Sequence, residues 1–284
     1  MTNREIISDS VRYIENNLRE DIRVSDVARE AGYSLYHFIR LFDAVTGFTP
    51  KEYILRRKLT EAAKIITATD RRIIDIAFDF EFQTHESFTR AFRRCFGENP
   101  ADFRKSETPG AASFLEPFSA PAACPGIPID IQPEVVTLEA IHLVGFSIFV
   151  RDDITPIARM WSMFEKHNRS IPGKKSPERS CQLSYWTEDP AMNGFFCMAG
   201  IETADLSEIP PQMCGKTVPH ARYLRFIHRG PSRNVGKTYE RIYGEAIPAT
   251  DYRLSLPYNV EIYGSGYLGP DNPDSESEIY IPVE

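Results

Sequence analysis

Residues Phe82–Phe96 read FQTHESFTRAFRRCF. The recurrence of Phe88, Phe92 and Phe96 at i, i+4 and i+8 predicts a helix that buries one stripe of rings. Its opposite face would carry Thr84, His85, Glu86, Thr89, Arg90, Arg93 and Arg94. A helix anchored by one face, with hydrogen-bonding tips and three guanidinium groups on the other, has the chemistry needed to lie in the major groove of DNA. Taken alone, the stretch reads equally as an amphipathic surface helix with a solvated basic face.

An internal repeat separates the two readings. Val24, Asp26, Val27, Ala28 and Tyr33 match Ile73, Asp75, Ile76, Ala77 and Phe82 at one offset. One residue is then added in the second copy, and Phe38, Arg40, Phe42, Gly47, Pro50 and Tyr53 match Phe88, Arg90, Phe92, Gly97, Pro100 and Phe103. Two copies are too few for a solenoid. Each predicts a short helix, a tight turn, and a longer helix closed by Gly47 or Gly97, with Pro starting the next element. That is a duplicated helix-turn-helix. Pro50–Ala68 predicts a long helix tying the two units together, so that both second helices meet one face of a duplex about one turn apart.

In this order of residues the chain resembles the AraC/XylS transcription regulators, in the subgroup whose DNA-binding part comes first. The resemblance covers roughly residues 3–105, including the closing Pro100-Ala101-Asp102-Phe103-Arg104. It implies that Tyr36 and Arg40 contact bases, with His37 beside them, and that His85, Glu86, Ser87 and Arg90 open the second reading helix. Arg40 or Arg90 would grip a guanine through O6 and N7, and Glu86 would accept from a cytosine amino group. One position departs from the pattern: Glu81 stands where the second turn usually has Gly. A left-handed non-Gly residue costs on the order of 1 kcal/mol, and a turn widened by the extra residue is the expected way round it.

Charge is divided unevenly. The chain of 284 residues carries a net −7. Residues 1–105 hold 18 Lys+Arg against 17 Asp+Glu, and the rest hold 15 against 23. Phosphate contact therefore has to come from local clusters: Arg56-Arg57-Lys58, Arg71-Arg72, Arg93-Arg94 and Arg104-Lys105. The acidic second half disfavours nucleic acid and anionic membranes and suits a cationic ligand. Five scattered Cys with no C-x-x-C spacing, and no signal peptide, point to the cytoplasm. The longest apolar run, Ile141–Val150, is too short for a bilayer.

The expected organisation is multidomain: an all-α double helix-turn-helix domain over residues 1–105, a Pro-, Ala- and Ser-rich linker over 106–130, and an α+β domain over 131–284. Phe114, Leu115 and Phe118 are candidates to pin the linker onto a domain. From Glu134 onward strands and two helices alternate as two βαββ repeats, with both helices on one side of a sheet. This half resembles the GyrI-like effector-binding domains through Tyr223–Gly230, Val260–Tyr263 and Glu278–Val283. The resemblance implies a pocket in which an acidic residue faces aromatic walls, and places Glu261 there. Asn259, Glu261 and Tyr263 share one strand face. Tyr263, Trp161, Tyr185, Phe195 and Tyr223, with Phe164, Met198 and Tyr239, are the candidate walls. A carboxylate among rings holds a cation by charge and cation–π attraction.

Other chemistry is set aside. Gly264–Gly269 matches G-x-G-x-x-G, but Pro270 and Pro273 replace the helix a dinucleotide site requires. No cofactor or metal is expected, because the six His and five Cys lack ligand spacing. The expected function is a non-enzymatic, sequence-specific regulator that binds double-stranded DNA, senses a small cationic or amphipathic effector, and meets RNA polymerase; a monomer suffices to read an asymmetric site. The alternative is a small-molecule hydrolase or drug-sequestering protein that retains a DNA-binding domain. Glu261 with Tyr263 or Tyr223 would then supply the base and acid.

Overall fold

The structure, a computed structural model, describes residues 2–106, 114–119, 132–151, 153–187 and 194–284. They form two compact units that divide within the expected linker; most of that linker lies outside the described residues.

The first unit is helical. Helices α1 (Asn3–Asn16), α2 (Val24–Glu30) and α3 (Leu35–Thr46) precede the long α4 (Pro50–Ala68), and α5 (Ile73–Asp79), α6 (His85–Phe96) and α7 (Pro100–Phe103) follow it. Each second helix begins at a hydroxyl cap, where Ser34 accepts from the His37 N–H and Thr84 from the Ser87 N–H. Each ends at a left-handed glycine, Gly47 or Gly97. These features satisfy donors and carbonyls that helix ends leave open. Helix α4 is the shared spine. Tyr53 meets Phe42 of α3 edge-on at 5.6 Å, while Leu59, Ala62, Ala63 and Ile66 pack with Phe88, Phe92 and Phe103.

The second turn is not widened. Glu81 takes φ 63°, as Gly32 takes φ 77° in the first copy. The same bond closes both turns: Tyr33 N–H donates to Ala28 O at 3.0 Å and Phe82 N–H to Ala77 O at 3.2 Å. The extra residue, Gln83, falls later, between Phe82 and the Thr84 cap. Both turns pack their aromatic residue against the core, Tyr33 buried and Phe82 half-buried, and the strained Glu81 conformation is held by that packing. Residues 114–119 lie on this unit too. Phe114 packs on Phe96 and Phe103, the Leu115 N–H donates to Thr60 Oγ1, and the Phe118 N–H donates to Tyr53 Oη.

The second unit orders its elements as β1 (Glu134–Leu138), β2 (Ile141–Val150), α8 (Thr155–His167), β3 (Ser180–Tyr185), β4 (Phe195–Thr203), β5 (Cys214–Val218), β6 (Ala221–Arg229), α9 (Val235–Arg241), β7 (Tyr258–Tyr263) and β8 (Glu276–Val283). Each repeat thus carries a leading strand ahead of the βαββ pattern. Among the described residues the strands form one antiparallel sheet in the order β1-β6-β8-β7-β3-β4-β2-β5. The leading strands are exchanged: β1 pairs with β6 of the second repeat and β5 with β2 of the first. Yet β1 joins β2, and β5 joins β6, through only two residues each. Strands at opposite ends of the order must therefore come together, which forces the sheet to curl. Ile141, Leu143, Val218, Tyr223, Val260 and Ile262 fill the inside of the curl. Gly145 permits close approach between β2 and β4, since a Cβ there would lie 2.0 Å from Ala199 O. Both helices lie on the other face. The G-x-G-x-x-G stretch is a loop with no helix after it.

Glu81→Gly relieves the left-handed strain at the cost of a more flexible unfolded chain. A net gain of about 0.5–1 kcal/mol in urea unfolding of the first unit is expected, with DNA affinity unchanged.

Candidate nucleic-acid interface and ligand site

The face of α6 away from the Phe88–Phe92 stripe is open. His85, Glu86, Arg90, Arg93 and Arg94 are exposed. Among the described residues, no carboxylate lies within 4.0 Å of Arg90, Arg93 or Arg94. Together with His85, Glu86, Thr89 and Asn99 they line a shallow hollow. Ser87 is engaged locally, its hydroxyl donating to Thr84 O at 2.8 Å. On α3, Arg40 and Tyr36 form a pair, the guanidinium donating to Tyr36 Oη at 2.8 Å and standing 5.5 Å from its ring centre. A residue that stacks and donates in this way is pre-oriented for planar recognition.

Two of the expected contacts are corrected. His37, expected on the surface beside Tyr36, is fully buried, so no part of it is open to a base edge. Arg57 is buried too. It donates to both carboxylate oxygens of Glu15 at 2.8 and 2.9 Å, to Glu61 at 3.0 Å and to Leu115 O at 2.6 Å. Its guanidinium joins α1, α4 and residue 115, and is not available to phosphate. Lys58 likewise turns inward, donating to Glu20 O and Phe80 O; the latter caps the end of α5. Arg56 remains at the surface, 5.3 Å over the Phe48 ring. Arg71 and Arg72 are paired with Asp79 and Asp75, and Arg104 donates to Ile66 O and Arg71 O. Hence Arg93 and Arg94 form the basic cluster left most open to an anion.

In the second unit Glu261 lies on the helix-covered face of the sheet, only 4 % exposed. Its Oε1 accepts from Gln182 Nε2 and from Tyr239 Oη of α9, both at 3.1 Å, and its Oε2 from Tyr263 Oη at 2.7 Å. Trp161 of α8 meets the Tyr263 ring edge-on at 5.1 Å, and Tyr267 adjoins Tyr263 at 4.7 Å. Burial raises the carboxyl above the ordinary carboxylate range, while its three hydrogen bonds oppose that rise. Glu202 provides the contrast. Equally buried, it is held by Arg179 at 2.5 Å and Lys175 at 3.0 Å, and those cations lower its pKa despite burial. Among the described residues Glu261 has no cationic partner within 4.0 Å.

The pairing of strands decides which expected walls reach this site. Trp161, Tyr263 and Tyr239 do. Tyr185 and Tyr223 are corrected: both belong to the inside of the curl. Tyr223 Oη bonds Tyr258 Oη there, and Tyr185 stacks on Phe196. Strand parity puts them on the face opposite Glu261. Met198 also fills that interior, and Phe164 is core beneath α8. Phe195 is on the right face but lies four residues along β4 from the row holding Gln182 and Ala199, about 13 Å away; it stacks on Trp186. Gln182 and Tyr267 were missed, because only the register of β3 with β7 and the return of the 264–275 loop bring them in.

Two helix-turn-helix units on one spine, followed by a duplicated domain that buries an acid among aromatic rings, define a DNA-binding regulator with an effector-binding module. Comparison with known proteins agrees. Residues 27–106 match a family described as a helix-turn-helix domain, and residues 134–283 match one described as an integron-associated effector binding protein. The right origin-binding protein of Escherichia coli (strain K12) is 33% identical over 98% of this chain and 98% of its own length. The transcriptional regulator Rob of Salmonella typhimurium is 30% identical over 98% of this chain and 96% of its own. The regulatory protein SoxS of Escherichia coli (strain K12) is 36% identical over 37% of this chain, which is 97% of its own length. The chain belongs to the AraC-type transcription regulators that carry an effector-binding domain after the DNA-binding domain.

Truncating Arg57 to Ala leaves Glu15 without its cation and should destabilise the first unit by about 3 kcal/mol, seen as a lowered urea midpoint. Arg93→Ala and Arg94→Ala should leave unfolding unchanged. Each should instead reduce the salt dependence of DNA binding by about one unit of slope.

Proposed function

We propose that Arg40, with Tyr36, and Arg90, with His85, Glu86 and Ser87, form the base-reading surface, and that Arg56, Arg93 and Arg94 hold phosphates. Glu261, Tyr263, Trp161 and Tyr239 form the receptor for a lipophilic cation. The DNA-binding domain of residues 1–105 would gain the docked stretch 114–119 from the linker 106–130, and residues 131–284 would report ligand occupancy. Two reading helices in one chain let a monomer recognise an asymmetric site. Acting in the cytoplasm, it would alter transcription through contact with RNA polymerase.

One observation supports this reading above the others: among the described residues, each unit holds charges with no opposite charge beside them. The first exposes guanidinium groups with no anion, and the second encloses a carboxylate with no cation. A buried charge of that kind is costly unless something compensates it, and a bound cation would. Sensing fits better than hydrolysis, since Tyr263 is held well above the ordinary tyrosine range by burial and by Glu261, which makes it a weak proton donor and so a poor acid. No helix among the described residues is long and apolar enough to cross a membrane.

Gel-shift titrations on a randomised operator test the DNA half. Arg40→Ala and Arg90→Ala should each cost about 1–3 kcal/mol at one base pair and relax specificity there. Binding of every sequence as by the parent would remove the base-reading assignment. For the ligand half, Glu261→Gln should abolish binding of permanent lipophilic cations while leaving DNA binding intact; retained cation affinity would exclude the receptor role.

A further inference from the structure

Gln182 sits between the aromatic wall and the carboxylate and touches both. An indole N–H can only donate, and Trp161 Nε1 donates to Gln182 Oε1 at 2.8 Å. That contact orients the amide, whose two ends are otherwise alike in shape. Nε2 is thereby turned to Glu261 Oε1 at 3.1 Å. Were the amide reversed, a carbonyl oxygen would face the carboxylate and Trp161 would face an N–H. Every partner on the path from α8 to Glu261 is consistent with one orientation.

Building on the reading of Glu261 as a cation receptor, we propose that Gln182 is its positioning residue: the amide, locked by Trp161, keeps Glu261 ionised and aimed, and so sets the lowest pH at which the site takes a cation. Trp161 then has two roles, as a ring beside Tyr263 and as the group that fixes the amide. Burial drives Glu261 toward its neutral form, and each donor counters that drive.

The other groups around Glu261 can be named. Tyr263 comes from its own strand, Tyr239 from α9, Cys197 from β4 and Tyr267 from the following loop. Burial raises Tyr263 and Tyr267 and pushes the Cys197 thiol up to about 12. Trp161 of α8, Gln182 of β3 and Ile279, opposite Glu261 on β8, do not titrate. Glu165 and Asp271 act on Tyr267 from farther out and are present in the parent and in every variant compared below. Cation binding needs the ionised carboxylate, so it is complete above the Glu261 pKa and is lost as pH falls through it. Removing a donor raises that pKa and moves the loss to higher pH.

The test measures tetraphenylphosphonium binding to the full chain by calorimetry across pH; its permanent charge confines the pH dependence to the protein. Gln182→Met keeps the side-chain length and removes the donor. Its midpoint should rise by about one pH unit, giving binding about tenfold weaker below both midpoints and equal to the parent's well above them. Trp161→Phe keeps a ring against Tyr263 and frees the amide to reverse, so its midpoint should shift in the same direction by less. Placed in the Gln182→Met background it should add no further shift, because no amide remains to orient. A merely packing role would weaken binding by one factor at every pH; superimposed midpoints therefore overturn the proposal, and so do additive shifts. Glu261→Gln separates the two levels. If that variant binds as the parent does, the receptor reading itself fails. If it loses binding while Gln182→Met keeps the parental midpoint, only the role of Gln182 fails.

Discussion

A charge removed from water must be compensated by something nearby, and both units are built around that constraint. In the first, Arg57 is withdrawn from the surface and held by Glu15, Glu61 and the Leu115 carbonyl. In the second, Glu202 is neutralised by Arg179 and Lys175, whereas Glu261 is surrounded by neutral donors. The first two cases hold structure together. The third has no opposite charge beside it among the described residues, and that difference sets Glu261 apart from the two structural ion pairs.

The same constraint sorts the basic residues of the DNA-binding unit. With a nearly balanced charge over residues 1–105, most of its cations serve the fold: Lys58 caps a helix, Arg71 and Arg72 pair with aspartates, and Arg104 binds carbonyls. Three that no carboxylate among the described residues approaches within 4.0 Å, Arg90, Arg93 and Arg94, lie together on α6. A domain of nearly balanced charge can therefore present a helix with three exposed guanidinium groups. Because α4 carries the contacts to both helix-turn-helix units, one rigid spine sets the relation of α3 to α6. The docked residues 114–119 brace that spine through Tyr53, Arg57 and Thr60.

In the effector-binding unit, exchange of the leading strands and two-residue joins curl the sheet. Curling gives the two faces different fates. The inner face closes on an apolar core, and the outer face receives α8 and α9. Glu261 falls on the outer face, where Tyr239 of α9 donates to it and Trp161 of α8 reaches it through Gln182 and Tyr263. A ligand that engages the carboxylate would thus bear on both helices at once.

Periodicity and repetition made much of this legible from residues alone. The Phe88–Phe92 stripe, the glycines at 47 and 97 and the alternation around Glu261 are local patterns, and local patterns follow from backbone geometry. The orientation of α6 and the strand face of Glu261 could be read in this way. Which cations would be buried could not: Arg56 and Arg57 are neighbours in sequence, and only packing against α1 sends one inward. Nor could the walls of the ligand site, because aromatic residues of either strand face look alike until register is known. Tyr185 and Tyr223 went to the inner core and Gln182 to the carboxylate by virtue of pairing between segments about 80 residues apart. Short-range pattern determined the elements and their faces; long-range strand pairing and the neutralisation of buried charge decided which side chains meet.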